Sequence, residues 1–186
     1  MDKGPVTQPT FHSADAAARA EICEVFLRSF AASEGAQEAQ SVVHLVNALL
    51  DEAAEDDTLV YVAQIQGQVV GAILWSWLRY PNGRGVRLLS PVAVHPDVQG
   101  RGVGQGLIRY GVDQLRAAGV GMAVTYGDPQ FYGKVGFTAL NEEEVAAPYP
   151  LSMPFGWLGQ RLTTGALDGL SGRPICVMTF AQPELW

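Results

Sequence analysis

The stretch that decides the fold of this 186-residue chain is HPDVQGRGVG, residues 95–104. It follows an apolar run that ends at Val94 and leads into a helical pattern that opens near Gly104. A strand that breaks at a proline, passes through alternating glycines and enters a helix makes an anion cradle. The reason is that unpaired N–H groups and the positive end of the helix converge there. The stretch therefore predicts a pyrophosphate site.

The glycine spacing in this stretch distinguishes between kinds of nucleotide loop. The dinucleotide fingerprint G-x-G-x-x-G fails, because its third glycine position, counted from Gly102 and Gly104, is Leu107. The phosphate loop G-x-x-x-x-G-K-[ST] fails because the stretch contains no lysine. The pattern that remains is Gln99-x-x-Gly102-x-Gly104. A glycine-rich helix start that binds nothing stays open as the alternative.

A second motif, DPQFYGKVGF, spans residues 128–137. It predicts a short helix that carries Phe131 and Tyr132. One interpretation gives the hydroxyl of Tyr132 a role in chemistry. The other is an amphipathic tyrosine whose ring packs under the sheet while its hydroxyl meets water. The order of the two motifs, with a helix and a strand between them, favours the chemical role.

Together the two motifs resemble the signature of the GNAT superfamily of N-acetyltransferases. The run Gly127-Asp128-Pro129 and the segment 155–180 are further similar to its YhbS-like branch. The resemblance covers most of the chain and implies one GNAT-like domain over residues 1–186. Its implied fold is α/β, a mixed twisted β-sheet flanked by helices, with a splayed pair of central strands.

The resemblance also implies a cofactor, acetyl-CoA, which leaves as CoA. Strand backbone groups would pair with the pantetheine arm, the N–H of Val94 would polarise the acetyl carbonyl, and loop amides would hold the pyrophosphate. Tyr132 takes the position of the general acid that protonates the departing thiolate. The expected cofactor-binding residues are Val92, Ala93, Val94, Gln99, Gly100, Arg101, Gly102, Val103, Gly104, Gln105, Asp128 and Phe131.

The implied reaction moves an acetyl group directly to a primary amine of a small molecule or a protein. Its general base is unassigned, because residues 122–126 contain no acid where some family members carry a glutamate. Asp128, Glu34, His44 and a chain of water molecules remain open for that role. A non-catalytic acyl-CoA-binding sensor or interaction module is the alternative function.

Hydrophobic periodicity predicts the secondary structure. The predicted helices are residues 15–30, a helix through 42–50 that closes at 56–57, residues 103–118 with a stop at 119, and residues 130–135. The predicted strands are residues 5–11, 58–65, 68–78, 86–94, 122–126 and 173–180. The strands on either side of Gln66-Gly67 form a β-hairpin. Trp75 and Trp77 are expected to pack on one face of their strand.

Composition limits the partners and the compartment. A net charge of −7 without clustered lysine and arginine argues against nucleic acid. The N-terminus lacks an apolar stretch of signal-peptide length, and apolar runs elsewhere are shorter than a membrane span, which predicts a cytoplasmic protein without a membrane partner. Cys23 and Cys176 are expected to be core thiols, and no metal is expected, because ligand spacing is lacking. Phe155, Trp157 and Trp186 favour a homodimer through exposed apolar area.

Overall fold

The computed structural model describes residues 8–53, 57–81, 85–166, 168 and 170–186. Within these ranges the backbone forms four α-helices and eight strands. The helices are α1 (Arg19–Ser33), α2 (Ala36–Ala53), α3 (Val103–Ala117) and α4 (Pro129–Tyr132). The strands are β1 (Thr10–Ser13), β2 (Thr58–Ile65), β3 (Gln68–Arg79), β4 (Val86–Val94), β5 (Met122–Tyr126), β6 (Thr138–Ala139), β7 (Trp157–Arg161) and β8 (Ile175–Cys176).

These strands form one mixed sheet in the order β1-β2-β3-β4-β5-β7-β6, and β8 pairs with the end of β3. The pair β4 and β5 is parallel, whereas the other neighbours are antiparallel. A parallel pair needs a crossover connection, which α3 supplies. The sheet confirms the predicted α/β class with helices on its flanks.

The hairpin of β2 and β3 turns at Gln66 and Gly67, whose φ angles are 52° and 80°. Two positive φ angles in succession give the turn the twist of the flanking strands, and glycine adopts such angles without steric cost. The hairpin confirms the prediction, with β3 one residue longer than expected at Arg79. The stop of α3 is also confirmed, since Gly119 follows it with a φ of 76°.

Helices bury the two faces of the sheet in separate cores. Helices α1 and α2 cover one face, where Phe26, Val46 and Leu74 are fully buried. Helix α3 covers the other face, where Trp75 is fully buried against it. Trp77 lies further along β3 and packs beneath the guanidinium of Arg87, whose Cζ is 3.8 Å from the ring centroid. Trp75 therefore has the predicted packing role, whereas Trp77 makes a cation–π contact.

The ends of the chain differ from the predicted pattern. The first strand, predicted over residues 5–11, is Thr10–Ser13; residues 8 and 9 are not part of it, and residues 5–7 lie outside the described ranges. The predicted strand 173–180 was too long, because β8 ends after Cys176 and a 3₁₀ turn follows at Met178–Phe180. β3 offers β8 only Leu78 and Arg79 as partners. The predicted closure of α2 at Asp56 lies outside the described residues.

Strands β6 and β7 were not predicted. β7 contains Gly159, and glycine weakens a strand pattern. In the sheet this glycine has a packing reason, since a β-carbon there would lie 2.7 Å from Met122 Cε and from Leu140 Cδ1. The sequence pattern could not show that close approach, because the two contacts come from distant segments.

The aromatic side chains expected to support a homodimer are mostly inside the protein. Trp157 and Trp186 are buried, and Phe155 alone of the three is exposed. The basis of the homodimer prediction is therefore corrected, because only the ring of Phe155 is exposed.

Among the described residues, no helix combines the length and apolar character that a membrane span requires.

Replacing Gly111 by valine is expected to destabilise the protein by roughly 1–3 kcal/mol, the usual cost of overpacking a core. A β-carbon at Gly111 would lie 2.6 Å from Trp75 Nε1 and 3.0 Å from Ile73 Cδ1. Gly133→Val is the matched control, since a β-carbon there meets nothing within 4 Å. Urea unfolding followed by circular dichroism measures both. Equal unfolding midpoints for the two variants would contradict the close approach of α3 to β3.

Candidate active site

The sheet opens between β4 and β5. These strands pair only where Val86–Leu89 faces Met122–Thr125. Beyond that point β4 remains paired with β3 as far as Val94, whereas β5 remains paired with β7 through Tyr126. The two strands follow different neighbours and diverge, which confirms the predicted splayed pair.

The antiparallel register decides which backbone groups of β4 face the opening. His95 N donates to Val70 O at 2.8 Å, so this pair is hydrogen-bonded. Hydrogen-bonded and non-hydrogen-bonded positions alternate along antiparallel strands. Ala93 therefore directs its N–H and C=O groups toward β3, while Val92 and Val94 direct theirs into the opening. Of the three strand residues expected to bind the cofactor, two offer their backbone groups.

The side chain of Gln99 folds back over the end of β4. Its Nε2 donates to Val94 O at 2.8 Å and to Ser29 Oγ at 3.3 Å. The carbonyl of Val94 is thereby engaged, and its N–H is the group presented to the opening. Ser29 is a buried polar residue of α1, and nothing in the helical pattern of the sequence marked it as part of the site.

Glycines shape the loop between β4 and α3. Gly100 and Gly102 have φ angles of 72° and 80°, which side chains of L-residues rarely allow. Gly104 is needed for space instead, because a β-carbon there would lie 3.2 Å from Val94 Cγ2. Helix α3 begins at Val103 without an acidic side chain in its first turn. The free N–H groups and positive end of α3 therefore face this loop, as an anion site requires.

A cavity of about 660 Å³ lies between β4, the glycine loop and α4. With the exception of Arg101, every residue predicted to bind the cofactor lines it, together with Tyr132. Arg101, which was expected to add charge, is exposed and is not part of the lining. Lys134 lines the cavity, as do Ser29 and Val98, and the sequence analysis missed all three. Lys134 belongs to the second motif, and this position was the feature of the sequence that could have identified it as a lining residue.

Helix α4 is held by its first residues. Asp128 is the N-cap, with its Oδ1 accepting from the backbone N–H of Gln130 at 2.8 Å. Pro129 occupies the first helical position, where its missing N–H costs nothing. This cap orients the short helix that presents Tyr132.

The ring of Tyr132 is fixed by close packing. It meets Phe131 and Phe137 edge to face, with centroids 5.0 Å and 5.8 Å away. It also lies against Gly127, where a β-carbon would come within 2.7 Å of Tyr132 Cε2. Gly127 therefore leaves the space that the ring occupies. The tyrosine has both the ring packing of a core residue and access to the cavity.

The hydroxyl of Tyr132 lies where the strands begin to diverge. Burial raises the pKa of Tyr132, a side-chain hydrogen bond with Thr125 lowers it, and the negative charge of Asp128 raises it. Thr125 also donates to Leu89 O at 2.9 Å, across the last paired position of β4 and β5. The raised pKa keeps the phenol protonated at neutral pH.

The candidate bases lie in different places. Glu34 and His44 are exposed, and neither lines the cavity that contains Tyr132. Asp128 does line this cavity.

In the part of the chain that the structure describes, no three His, Cys, Asp or Glu side chains gather as a metal site would require.

The two cysteines are free thiols at the edge of the larger core. Burial raises the pKa of Cys23 and of Cys176. A raised pKa disfavours the reactive thiolate. Their packing agrees with the expected role as core thiols.

Comparison with known proteins identifies the family. A family model described as an acetyltransferase (GNAT) domain matches residues 56–139. The chain is 32% identical over 173 residues to the uncharacterised N-acetyltransferase YjhQ of Escherichia coli (strain K12), covering 90% of this chain and 91% of the relative. The chain belongs to the GNAT acetyltransferase family. Membership confirms the resemblance inferred from the two motifs, and with it the expectation of an acetyltransferase.

Two solved GNAT structures share this fold. YhbS from Escherichia coli, crystallised with CoA, superimposes with a TM-score of 0.78 at 24% identity over 98% of this chain and 97% of its own. A GNAT family acetyltransferase from Brucella melitensis, crystallised with acetyl-CoA, gives a TM-score of 0.68 at 28% identity over 91% and 95%. The first comparison confirms the YhbS-like fold that the sequence predicted.

Tyr132 is expected to ionise above the ordinary tyrosine pKa of about 10, because burial raises its pKa. The phenol then keeps its proton through neutral pH and loses it only in alkali. Near-ultraviolet absorbance of tyrosinate, titrated for the wild type and for Tyr132→Phe, isolates this step as a difference. The raised pKa would be contradicted if the difference between the two titrations had its midpoint at or below the ordinary tyrosine pKa. Circular dichroism must show that both proteins are folded.

Proposed function

We propose that this GNAT protein transfers an acetyl group from acetyl-CoA to a primary amine. The observation that carries the proposal is the position of Tyr132. Its protonated hydroxyl lies at the start of the strand opening, in the cavity that also holds the glycine loop. The relatives crystallised with CoA and with acetyl-CoA support the choice of cofactor.

The residues of the first cavity fit acetyl-CoA. The start of α3 and the glycine loop offer N–H groups to a pyrophosphate. Lys134 adds a positive charge to the same lining. The outward-facing N–H and C=O groups of Val92 offer strand-like pairing to the amides of the pantetheine arm, and the N–H of Val94 faces the same opening. When bound, acetyl-CoA supplies an activated acetyl thioester.

The chain contributes orientation, polarisation and a proton. The amine nitrogen bonds to the acetyl carbon as the carbon–sulfur bond breaks. The N–H of Val94 stabilises the charge that develops on the acetyl oxygen. Tyr132 Oη gives its proton to the leaving sulfur, and the proton shed by the new amide nitrogen restores the phenol. Holding amine and thioester side by side contributes up to roughly 7–11 kcal/mol in well-oriented cases.

The amine must lose a proton before it attacks. β5 has no carboxylate for this step, so we assign it to Asp128 or to water that enters the open cavity. The missing carboxylate is the observation that favours the second candidate function, a non-catalytic acyl-CoA-binding sensor or interaction module. Such a module would bind CoA through the same loop and would release no thiol with any amine.

Replacing Gly104 by aspartate is expected to abolish CoA binding. The new β-carbon would press on Val94 Cγ2 at 3.2 Å, and the carboxylate would repel phosphate at the positive end of α3. Gln114→Asp adds the same charge at an exposed position of α3 and is the matched control. Isothermal titration calorimetry measures affinity, and circular dichroism checks folding.

Wild-type CoA affinity in folded Gly104→Asp protein would contradict the loop as the cofactor site. The unaltered protein should in turn gain about 2.7 kcal/mol of stability when CoA is present at a hundredfold excess over its dissociation constant. Gly102→Asp is expected to give the same loss of binding, since it adds a negative charge and forces a side chain onto a φ of 80°.

Removing the hydroxyl of Tyr132, as Tyr132→Phe, is expected to lower kcat by roughly 10²–10⁴-fold, the usual range for general acid–base catalysis. CoA affinity should be unchanged, because the ring packing remains. Tyr110→Phe removes a hydroxyl from α3 outside the first cavity and is the matched control. Thiol release in single-turnover experiments measures the chemical step. Undiminished turnover in Tyr132→Phe would show that the proton comes from elsewhere.

A further inference from the structure

A second cavity, of about 300 Å³, adjoins the first at Asp128, which lines both. Gly127 lies between this second cavity and the catalytic ring. Gly127 lines the second cavity. A β-carbon added to Gly127 would lie 2.7 Å from Tyr132 Cε2. The second cavity therefore ends one backbone thickness from the proposed general acid.

The second cavity is lined mainly by apolar groups. Met153 and Phe155 form its rim, although 53% and 68% of their surfaces are exposed. Pro129 and the ring of Tyr126 add further apolar surface. Large apolar side chains exposed around a concave surface are typical of a binding site. Asp128 is the charged residue among the described lining.

The walls of this cavity are fixed before any ligand arrives. Met153 N donates to Tyr126 Oη at 2.7 Å, which ties the rim to the end of β5. Gly127 N donates to the carbonyl of Gly156 at 2.9 Å and ties the opposite wall to the same segment. The Tyr126 ring stacks on buried Trp186 with centroids 6.4 Å apart. A preformed site of this kind loses little entropy on binding.

We propose that this second cavity is the acceptor pocket and that it selects primary amines with an apolar body. The inference rests on the proposed acetyl transfer. The apolar body lies against Phe155 and Met153, while the ammonium group is held by the carboxylate of Asp128. That carboxylate accepts one N–H, from Gln130, and has capacity for more. Asp128 thereby brings the nitrogen to the junction of the two cavities.

The same chemistry rejects acceptors that carry a second charge. A diamine would place its far ammonium group among Phe155, Met153 and Pro129, because Asp128, the one carboxylate among the described lining residues, already holds the near ammonium group. Removing that charge from water without a partner is costly. An apolar amine of similar length loses only unfavourable contact with water. The pocket therefore distinguishes acceptors by their tails, while Asp128 recognises the group that they share.

The test measures thiol release with 2-phenylethylamine, butylamine and 1,4-diaminobutane, against a blank without amine. We expect kcat/KM to be at least roughly tenfold higher for 2-phenylethylamine than for 1,4-diaminobutane, a discrimination within reach of an apolar pocket. Phe155→Ala should lower kcat/KM for 2-phenylethylamine roughly tenfold, mainly through KM. Met178→Ala is the matched control, because this side chain is 80% exposed and lies outside the pocket.

A second variant, Asp128→Asn, tests the ammonium contact. Asparagine also caps helices, so α4 should stay folded. Loss of the charge should raise KM for the amine roughly tenfold. A fall in kcat with a shifted pH profile and an unchanged KM would instead make Asp128 the base and overturn the ammonium contact.

The outcomes separate this inference from the proposed function. If CoA binds and no amine releases thiol, acetyl transfer to amines is wrong. If amines are acetylated but 1,4-diaminobutane matches 2-phenylethylamine, or Phe155→Ala behaves like Met178→Ala, acetyl transfer stands and selection by this pocket is wrong.

Discussion

The divergence of β4 and β5 after the Leu89–Thr125 pair is the constraint on which the rest of the site depends. Beyond that pair β4 continues along β3 and β5 continues along β7, and the two are no longer paired with each other. If they stayed paired, the backbone groups of Val92 and Val94 would be used within the sheet. The hydrogen bond from Thr125 to Leu89 O marks the end of pairing, and the side chain of Thr125 also influences the pKa of Tyr132.

The placement of Tyr132 shows how packing keeps a phenol protonated. The same burial that fixes the ring also raises the pKa of Tyr132, because it disfavours the charged phenolate. Burial is therefore the single cause of both the rigid packing of the Tyr132 ring and the retention of its hydroxyl proton. Gly127 makes this arrangement sterically feasible, and it also lines the second cavity.

The two cavities differ in their electrostatics. The first has the positive start of α3 and the charge of Lys134 in its lining, which suits an anionic ligand. The second has apolar walls, and Asp128 lies at the junction, which suits a cation with an apolar tail. In the proposed transfer the anionic cofactor would occupy the first cavity and the cationic acceptor the second, with Asp128 lining both. This polarity is local and could not be deduced from the net charge of −7.

The sequence by itself determined the features that depend on short-range spacing. The hairpin at Gln66-Gly67, the glycine loop before α3, and the cap and ring of α4 follow from residues within a few positions of each other, where local conformation decides. Only the tertiary structure decided which distant residues meet. It brought Ser29 and Lys134 to the loop, moved Arg101 out of the cavity, and set Phe155 beside Asp128, 27 positions earlier in the chain. These contacts depend on sheet order and on the divergence of two strands, which no local pattern encodes.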